Sequence, residues 1–210
     1  MKLEGKKIAF LGDSITEGHG LESTEGAYWN LLKKREGLSE IYVDGIGGTR
    51  FTKQWMPSEN PRHDNEFVSR VKNIPQDADV IVVFGGTNDF GHGDGLLGNR
   101  GDKSPHTFYG ACDLLIRRLM EHCPGAELVF MTPVHRLVEE QNGRRLQDYV
   151  QALRQVAEYY GVPVVDLYAT SGIQPKVPVN QERYCPDGLH PNEAGHERIY
   201  RRLKGVLESL

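Results

Sequence analysis

The sequence predicts an α/β fold, a three-layer α/β/α sandwich built around a five-stranded parallel sheet. Short, unbroken apolar runs alternate along the chain with longer segments in which apolar residues recur at helical spacing. Unbroken apolar runs are typical of parallel strands, because helices cover both faces of such a sheet. We therefore expect helices to join successive strands by right-handed crossovers.

Each element follows from its own pattern. The first strand is the apolar run 8–11, and the β-branched run 79–84 is the clearest strand of the chain. Further strands are predicted at residues 41–43, 127–131 and 162–167. Helices are predicted at residues 27–38, 106–122, 146–160 and in a terminal segment around 199–210, with a short helix at 65–73. The polar, proline-marked segment 50–65 and the glycine-rich segment 91–105 are predicted loops.

Five parallel strands usually adopt the flavodoxin-like order 2-1-3-4-5, which places a switch point between the first and third strands. Loops that leave these two strands diverge and open a crevice. Gly-Asp-Ser at 12–14 and Gly-Gly-Thr-Asn-Asp at 85–89 would line it, with the glycine-rich segment 45–48 beside them. Three glycine-rich strand exits at one place indicate a functional site.

Composition argues against several classes of function. The 210 residues carry 25 Lys and Arg against 29 Asp and Glu, a formal net charge of −4, so we expect no nucleic-acid partner and no anionic membrane surface. No apolar run is long enough to cross a bilayer, and no apolar signal segment precedes the first strand. Because the chain shows neither repeats nor linkers, one domain over residues 1–210 is expected.

The three cysteines, Cys112, Cys123 and Cys185, are odd in number and form no Cys-x-x-Cys pair. They are interpreted as free thiols in a reducing compartment, so a cytoplasmic location is expected. Neither a dinucleotide fingerprint nor a phosphate-binding loop occurs, and no cofactor is expected. His92, Asp94 and His106 do not have the spacing of a standard metal site, so no metal is expected either.

A hydroxyl group lies just past the first strand, at Ser14. One interpretation is a plain strand-to-helix turn, in which Asp13 and its neighbours cap the following helix. The other is a nucleophile, because ligands of open α/β sheets bind at the carboxyl ends of the strands. In both interpretations Asp13 braces the turn.

Asp187 and His190 are three residues apart in a predicted turn near the C-terminus. In a tight turn the carboxylate can fix one imidazole nitrogen, which leaves the other nitrogen to accept a proton from a hydroxyl group. That arrangement activates a serine nucleophile. The alternative is a surface turn in which the two residues only cap neighbouring backbone.

Four blocks together resemble the SGNH (GDSL-type) hydrolase superfamily, from residue 8 to about residue 196. Gly-Asp-Ser-Ile at 12–15 resembles the first block, and Gly-Ile-Gly-Gly-Thr at 45–49 resembles the second. Gly-Gly-Thr-Asn-Asp at 85–89 matches the third block, and Asp-Gly-Leu-His-Pro at 187–191 matches the fifth. One departure is that many relatives carry an asparagine just before the second block, where this chain has Val43 and Asp44.

The resemblance implies a serine hydrolase of carboxylic esters that needs no cofactor. It implies a triad of nucleophile, base and acid, here Ser14, His190 and Asp187. It also implies an oxyanion hole formed by the backbone N–H groups of Ser14 and Gly48 and the side-chain amide of Asn88. Because of the departure before the second block, Gly47 competes with Gly48 for this role.

The substrate is expected to be a small-molecule ester with a short acyl group, such as acetyl on a carbohydrate or another small polar alcohol, because the surrounding loops are polar. Trp55, His92 and Tyr184 are candidate substrate-lining residues, and segment 91–105 is a candidate wall or lid. Trp55 and Tyr184 are equally interpretable as ordinary, partly buried aromatic residues.

Several other functions remain open. An acyltransferase, a lysophospholipase or a thioesterase of the same superfamily would use the same residues. A non-catalytic carbohydrate-binding relative would be favoured if Ser14, Asp187 or His190 were missing, and all three are present. A phospho-acceptor module is disfavoured, because no lysine follows the fifth predicted strand at residues 166–168.

Overall fold

The computed structural model describes residues 1–93 and 95–210. Its strands are β1 (Lys7–Gly12), β2 (Glu40–Gly45), β3 (Val80–Phe84), β4 (Glu127–Met131), β5 (Glu140–Gln141), β6 (Arg144–Arg145) and β7 (Val164–Val165). Five of them form a parallel sheet in the order β2-β1-β3-β4-β7, which confirms the predicted order 2-1-3-4-5. The strands β5 and β6 pair separately as an antiparallel hairpin.

Helices connect the strands and cover the sheet. They are α1 (Ser14–Glu17), α2 (Tyr28–Glu36), α3 (Phe67–Arg70), α4 (Thr87–Gly91), α5 (Phe108–His122), α6 (Leu146–Tyr159), α7 (Leu167–Thr170), α8 (Pro178–Tyr184) and α9 (Glu193–Ser209). Short 3₁₀ helices occupy Thr24–Gly26, Pro61–Asp64 and Val71–Asn73. In the described part of the chain, no helix is long and apolar enough to cross a membrane.

Successive strand residues point to opposite faces of the sheet, and both faces are buried. On one face Leu11 and Val83 pack with residues of α5 and α6. On the other face Phe10 and Val82 pack with residues of α2 and α9. This arrangement confirms the three-layer α/β/α sandwich and explains why the strands are unbroken apolar runs.

The fifth strand of the sheet is shorter than predicted, with two residues in place of 162–167. Pro163 has no N–H group to donate to the ladder. Asp166 instead caps α7, where its carboxylate accepts a hydrogen bond from the N–H of Ala169 at 3.1 Å. The chain therefore leaves the sheet directly after Val165.

Other differences lie in segments too short to show a helical period. The predicted helix at 65–73 is α3 followed by a 3₁₀ turn. The glycine-rich exit 85–89 contains the start of α4, and α7 and α8 were not predicted.

The three glycine-rich strand exits meet at one edge of the sheet. In the register of the sheet, Gly12 at the end of β1 lies beside Gly45 of β2 and Phe84 of β3. The exits that follow these residues therefore begin side by side, at the predicted switch point.

Candidate active site

Ser14 is the first residue of α1 and lies directly after β1. Asp13 is the N-cap, and its carboxylate accepts a hydrogen bond from the N–H of Ile15 at 3.0 Å. Burial raises the pKa of Asp13 to about 7. Because Asp13 performs the capping, the hydroxyl group of Ser14, a residue only 6% exposed, is left for another partner.

That partner is His190, whose Nε2 lies 3.1 Å from Ser14 Oγ. The other ring nitrogen, Nδ1, lies 2.7 Å from Asp187 Oδ2. The second oxygen, Asp187 Oδ1, accepts the N–H groups of Leu189 at 2.8 Å and of His190 at 2.7 Å. The turn thus brings Ser14, His190 and Asp187 into one continuous chain of contacts.

The carboxylate of Asp187 is held in its ionised form. Partial burial favours a higher pKa, but the hydrogen bonds from the His190 and Leu189 N–H groups and from the imidazole outweigh it, so the pKa of Asp187 is lowered. An ionised acceptor at Nδ1 keeps a proton there, which leaves Nε2 as the nitrogen that accepts one.

Asn88 extends from α4 at the exit of β3 and is nearly buried. Its Nδ2 donates one hydrogen to the backbone carbonyl of Thr49 at 2.9 Å. A side-chain amide carries two hydrogens, so the second remains for another acceptor. The amide is thereby fixed in orientation by the loop that contains the glycine pair.

The two competing glycines differ in their hydrogen bonds. The N–H of Gly47 donates to Glu17 Oε2 at 2.6 Å. For the N–H of Gly48, none of the residues that the structure describes supplies an acceptor. Gly48 also has a φ of +76°, which favours glycine. Of the pair, Gly48 is therefore the residue whose N–H is available.

Glu17 was not singled out from the sequence, yet it fixes the second exit. Besides accepting the Gly47 N–H group, its Oε1 accepts a hydrogen bond from Arg62 Nη2 at 2.6 Å. Partial burial acts to raise the pKa of Glu17, but the bonds from Arg62 and Gly47 outweigh it and lower the pKa. An ionised Glu17 thus ties α1 to the glycine loop.

Arg70 was also not singled out from the sequence. It is only 3% exposed and forms hydrogen bonds to the chain at the exits of β1 and β2. Its Nη1 donates to the carbonyl and the Oδ1 of Asp44, both at 2.9 Å. Its Nη2 donates to the Gly12 carbonyl at 3.0 Å and to Thr49 Oγ1 at 3.1 Å. Asp44, at the position where many relatives carry asparagine, is therefore the partner of a buried arginine.

Asp89, one residue after Asn88, also holds a strand exit in place through hydrogen bonds. Its buried carboxylate accepts the N–H groups of Phe51 at 3.1 Å and of Thr52 at 2.9 Å, and the Thr52 hydroxyl at 2.9 Å. Burial raises the pKa of Asp89. These bonds attach the chain that follows Gly48 to α4.

Three histidines lie beside His190 and the glycine loop. The ring of His19 lies 5.4 Å from that of His190, measured between centroids. His63 covers Gly48 so closely that a Cβ there would lie 2.3 Å from the imidazole. His92, the predicted lining residue, has its ring 5.3 Å from that of His63. No periodic pattern distinguishes His19 or His63 in the sequence, so both were missed.

The structure separates the two aromatic candidates for substrate lining. Trp55 is 70% exposed, and its ring stacks on His106 with centroids 3.7 Å apart and planes 13° apart. Tyr184 is only 7% exposed, and its hydroxyl group accepts a hydrogen bond from Arg198 at 2.7 Å. Tyr184 is thus largely buried and held by a residue of α9, so that it lines the substrate site stays a prediction.

Residues 1–93 and 95–210 contain no group of three His, Cys, Asp or Glu side chains that could hold a metal ion. His106, one of the three residues tested for such a group, has its Nδ1 2.7 Å from the carbonyl of Lys53. Asp94 lies outside the described residues. Cys112, Cys123 and Cys185 are buried free thiols.

Comparisons with known proteins show the family and the fold of the chain. The sequence matches the GDSL-like lipase/acylhydrolase family over residues 10–198, while a search of curated proteins gave no match. One solved structure is 37% identical, with a TM-score of 0.88, over 100% of this chain and 99% of its own. A solved protein from Lactobacillus plantarum is 34% identical, with a TM-score of 0.86, over 98% of each chain. An acetyl xylan esterase, 21% identical with a TM-score of 0.68 over 96% of this chain and 99% of its own, is similar in fold alone.

Proposed function

The chain belongs to the GDSL-like lipase/acylhydrolase family, and we propose that it is a serine esterase that removes a short acyl group from a small polar or carbohydrate substrate. The observation that carries the proposal is the chain of contacts from Ser14 Oγ through His190 to Asp187, at 3.1 Å and 2.7 Å. Both distances are hydrogen-bond distances, short enough for the proton transfers that such a reaction needs.

In the proposed reaction Ser14 Oγ attacks the ester carbonyl while His190 Nε2 accepts the hydroxyl proton. Asp187 stabilises the imidazolium that forms, and it remains ionised because of its backbone hydrogen bonds. His190 then protonates the leaving alcohol. Water then attacks the acyl carbon while His190 Nε2 accepts a proton from it. The imidazolium returns that proton to Ser14 Oγ as the bond between Oγ and the acyl carbon breaks, which releases the carboxylic acid and restores Ser14.

Negative charge develops on the carbonyl oxygen during each attack, and three donors are proposed to meet it. Ser14 opens α1, so its N–H group has no acceptor within the helix. The N–H of Gly48 and the second hydrogen of the Asn88 amide complete the set. Fixed donors of this kind stabilise the transition state without reorganisation.

The preference for a short acyl group on a polar alcohol is supported by the groups around Ser14 and Gly48. His19 and His63 are polar neighbours, and Glu17 and Arg62 form an ion pair beside them. The exposed ring of Trp55 is already held flat against His106, so a sugar ring can stack on it without ordering a mobile side chain.

The first test is hydrolysis of p-nitrophenyl acetate by the parent protein and by Ser14→Ala. We expect kcat/KM to fall by about 10³-fold or more in the variant, because the nucleophile is lost. Ser69→Ala, which changes an exposed serine of α3, serves as the matched control and should behave like the parent.

Equal activity of the parent and Ser14→Ala would overturn the proposal. If both proteins are inert on this ester, labelling by a fluorophosphonate probe decides the matter. A nucleophilic Ser14 should be labelled in the parent and not in the variant, and an unlabelled parent would contradict the mechanism.

The substrate class is tested with esters of increasing acyl length and with an acetylated sugar. We expect kcat/KM to be highest for acetyl, and Trp55→Ala to raise KM for the sugar about fivefold while leaving ethyl acetate unaffected, since only the sugar has a ring to stack. Met56→Ala, the exposed neighbour, is the control. Higher kcat/KM for long acyl chains would contradict the proposed class.

A further inference from the structure

A cleft of about 460 Å³ lies between α8 and α9, and it contains none of the residues proposed for ester hydrolysis. It is lined by Ser171, Arg183, Tyr184, Ala194, Glu197, Arg198, Arg201 and Arg202. A volume of this size matches that of small-molecule sites, which typically occupy about 300–1,000 Å³. The cleft is therefore large enough for a ligand.

The charges that line the cleft are unbalanced. Its single carboxylate, Glu197, already pairs with Arg35 at 2.8 Å and with Arg201 at 2.9 Å. No described carboxylate forms an ion pair with the other three arginines, Arg183, Arg198 and Arg202. Like charges gathered in this way repel one another, and a bound anion would relieve the repulsion.

One of these arginines is held in place by the protein. Arg198 Nη2 donates to the hydroxyl group of Tyr184 at 2.7 Å, and its Nη1 donates to the carbonyl of Ser171 at 3.1 Å. The guanidinium also stacks over the Tyr184 ring, 4.2 Å from its centroid. A guanidinium has five N–H donors, so donors remain for a ligand after these two bonds.

Two neighbouring residues are compatible with the fixed position of the Arg198 guanidinium. Gly172 allows the close approach, because a Cβ there would lie 2.6 Å from Arg198 Nη1. Arg183 lies over the same Tyr184 ring, 5.2 Å from its centroid. The buried Tyr184 is thus a platform that holds two cations at the wall of the cleft, and little side-chain entropy is lost when an anion binds to them.

We propose that this cleft binds a phosphate monoester of the size of a glycerol or sugar phosphate, with Arg198 as the fixed donor and Arg183 and Arg202 as the flanking cations. The planar fork of a guanidinium matches the oxygen atoms of a phosphoryl group. The volume of the cleft exceeds that of a bare phosphate, which favours a phosphate carried on a small molecule. The proposal is independent of the reaction at Ser14.

The test is calorimetric titration of the full chain with glycerol 3-phosphate, inorganic phosphate and glycerol, at constant ionic strength. We expect saturable binding of both phosphates at one site, tighter for the monoester, and no binding of glycerol. Equal affinity for the two phosphates would overturn the monoester assignment, and the lack of saturable phosphate binding would overturn the site.

Variants locate the binding. Arg183→Gln and Arg202→Gln, both exposed, should each weaken phosphate binding about threefold to tenfold without affecting folding. Arg198→Lys keeps the charge but loses the fork, and should weaken binding further. Arg100→Gln removes an exposed arginine outside the cleft and should bind like the parent. Binding that is unchanged in all three cleft variants would contradict the proposal.

Discussion

At the scale of single residues, each proposed catalytic group is fixed by one contact and keeps another atom or hydrogen for the substrate. Asp187 holds Nδ1 of His190, while Nε2 faces Ser14. The Thr49 carbonyl takes one hydrogen of the Asn88 amide and leaves the second. Groups that are oriented before the substrate arrives lower the barrier, since no free energy is spent on ordering them during the reaction.

Asn88→Ala tests the proposed oxyanion donor. We expect kcat for p-nitrophenyl acetate to fall by about 10²–10³-fold with a small change in KM, because the amide would act mainly on the charged transition state. Steady-state kinetics measure both constants. Asn99→Ala, at an exposed asparagine, is the control. An unchanged kcat would remove Asn88 from the reaction.

At the scale of elements, the carboxyl ends of β1 and β2 are cross-linked by a side chain from α3. Arg70 bonds to Gly12 after β1, to Asp44 in β2, and to Thr49 in the glycine loop. The Asp44 side chain is about one-tenth exposed and Arg70 less, so the pair is largely shielded from water. The helix α3 therefore sets the spacing of the exits as well as packing on the sheet.

Arg70→Met should lower the free energy of unfolding by about 3–5 kcal/mol, because Asp44 then remains buried without its partner. Adding Asp44→Asn should recover part of the loss, since the amide carries no charge. Urea unfolding of the parent, both single variants and the double variant gives the coupling energy. Additive effects of the two substitutions would contradict the proposed dependence.

At the scale of the whole molecule, the two faces of the sheet carry separate cores, and one of them contains a buried histidine. His196 of α9 is fully buried, and its Nδ1 accepts the N–H of Tyr28 at 3.2 Å. Its Nε2 has no hydrogen-bond partner among the described residues. Burial lowers the pKa of His196 from 6.5 to about 4.

This shift predicts a loss of stability in acid. Between pH 6.5 and 4 the unfolded chain binds a proton at His196 that the folded protein does not bind, so the free energy of unfolding falls as pH decreases. The loss is up to roughly 3 kcal/mol and levels off below pH 4. Urea unfolding at pH 7 and at pH 4.5 measures the difference.

His196→Gln removes the titrating group and should show a smaller loss between the two pH values than the parent. His92→Gln, at an exposed histidine, should keep the full loss. If His196→Gln and the parent lose equal stability, another group is responsible for the acid sensitivity.

The sequence by itself was sufficient to predict the sheet and the family, because these depend on local patterns, and the strand order followed from the order that five parallel strands usually adopt. Unbroken apolar runs mark buried parallel strands, and the blocks around Ser14, Asn88 and His190 are short and contiguous. The length of strand β7 was overestimated, because the apolar pattern alone does not show that Asp166 caps the next helix. The roles of Ser14, Asp187, His190, Gly48 and Asn88 stay predictions until the kinetic tests are made.

Only the tertiary structure distinguished residues whose partners lie far away along the chain. Glu17 takes the N–H of Gly47 and leaves that of Gly48, a contact over 30 positions. Arg70 reaches Gly12 over 58 positions, and the ring of Tyr184 is buried although the residues just before it are polar. Such contacts depend on how β1, β2 and α3 pack together. No periodic pattern in the sequence indicates which distant residues will be in contact. The candidate site residues could therefore be predicted from the sequence, whereas the residues that hold them in position could be identified only in the structure.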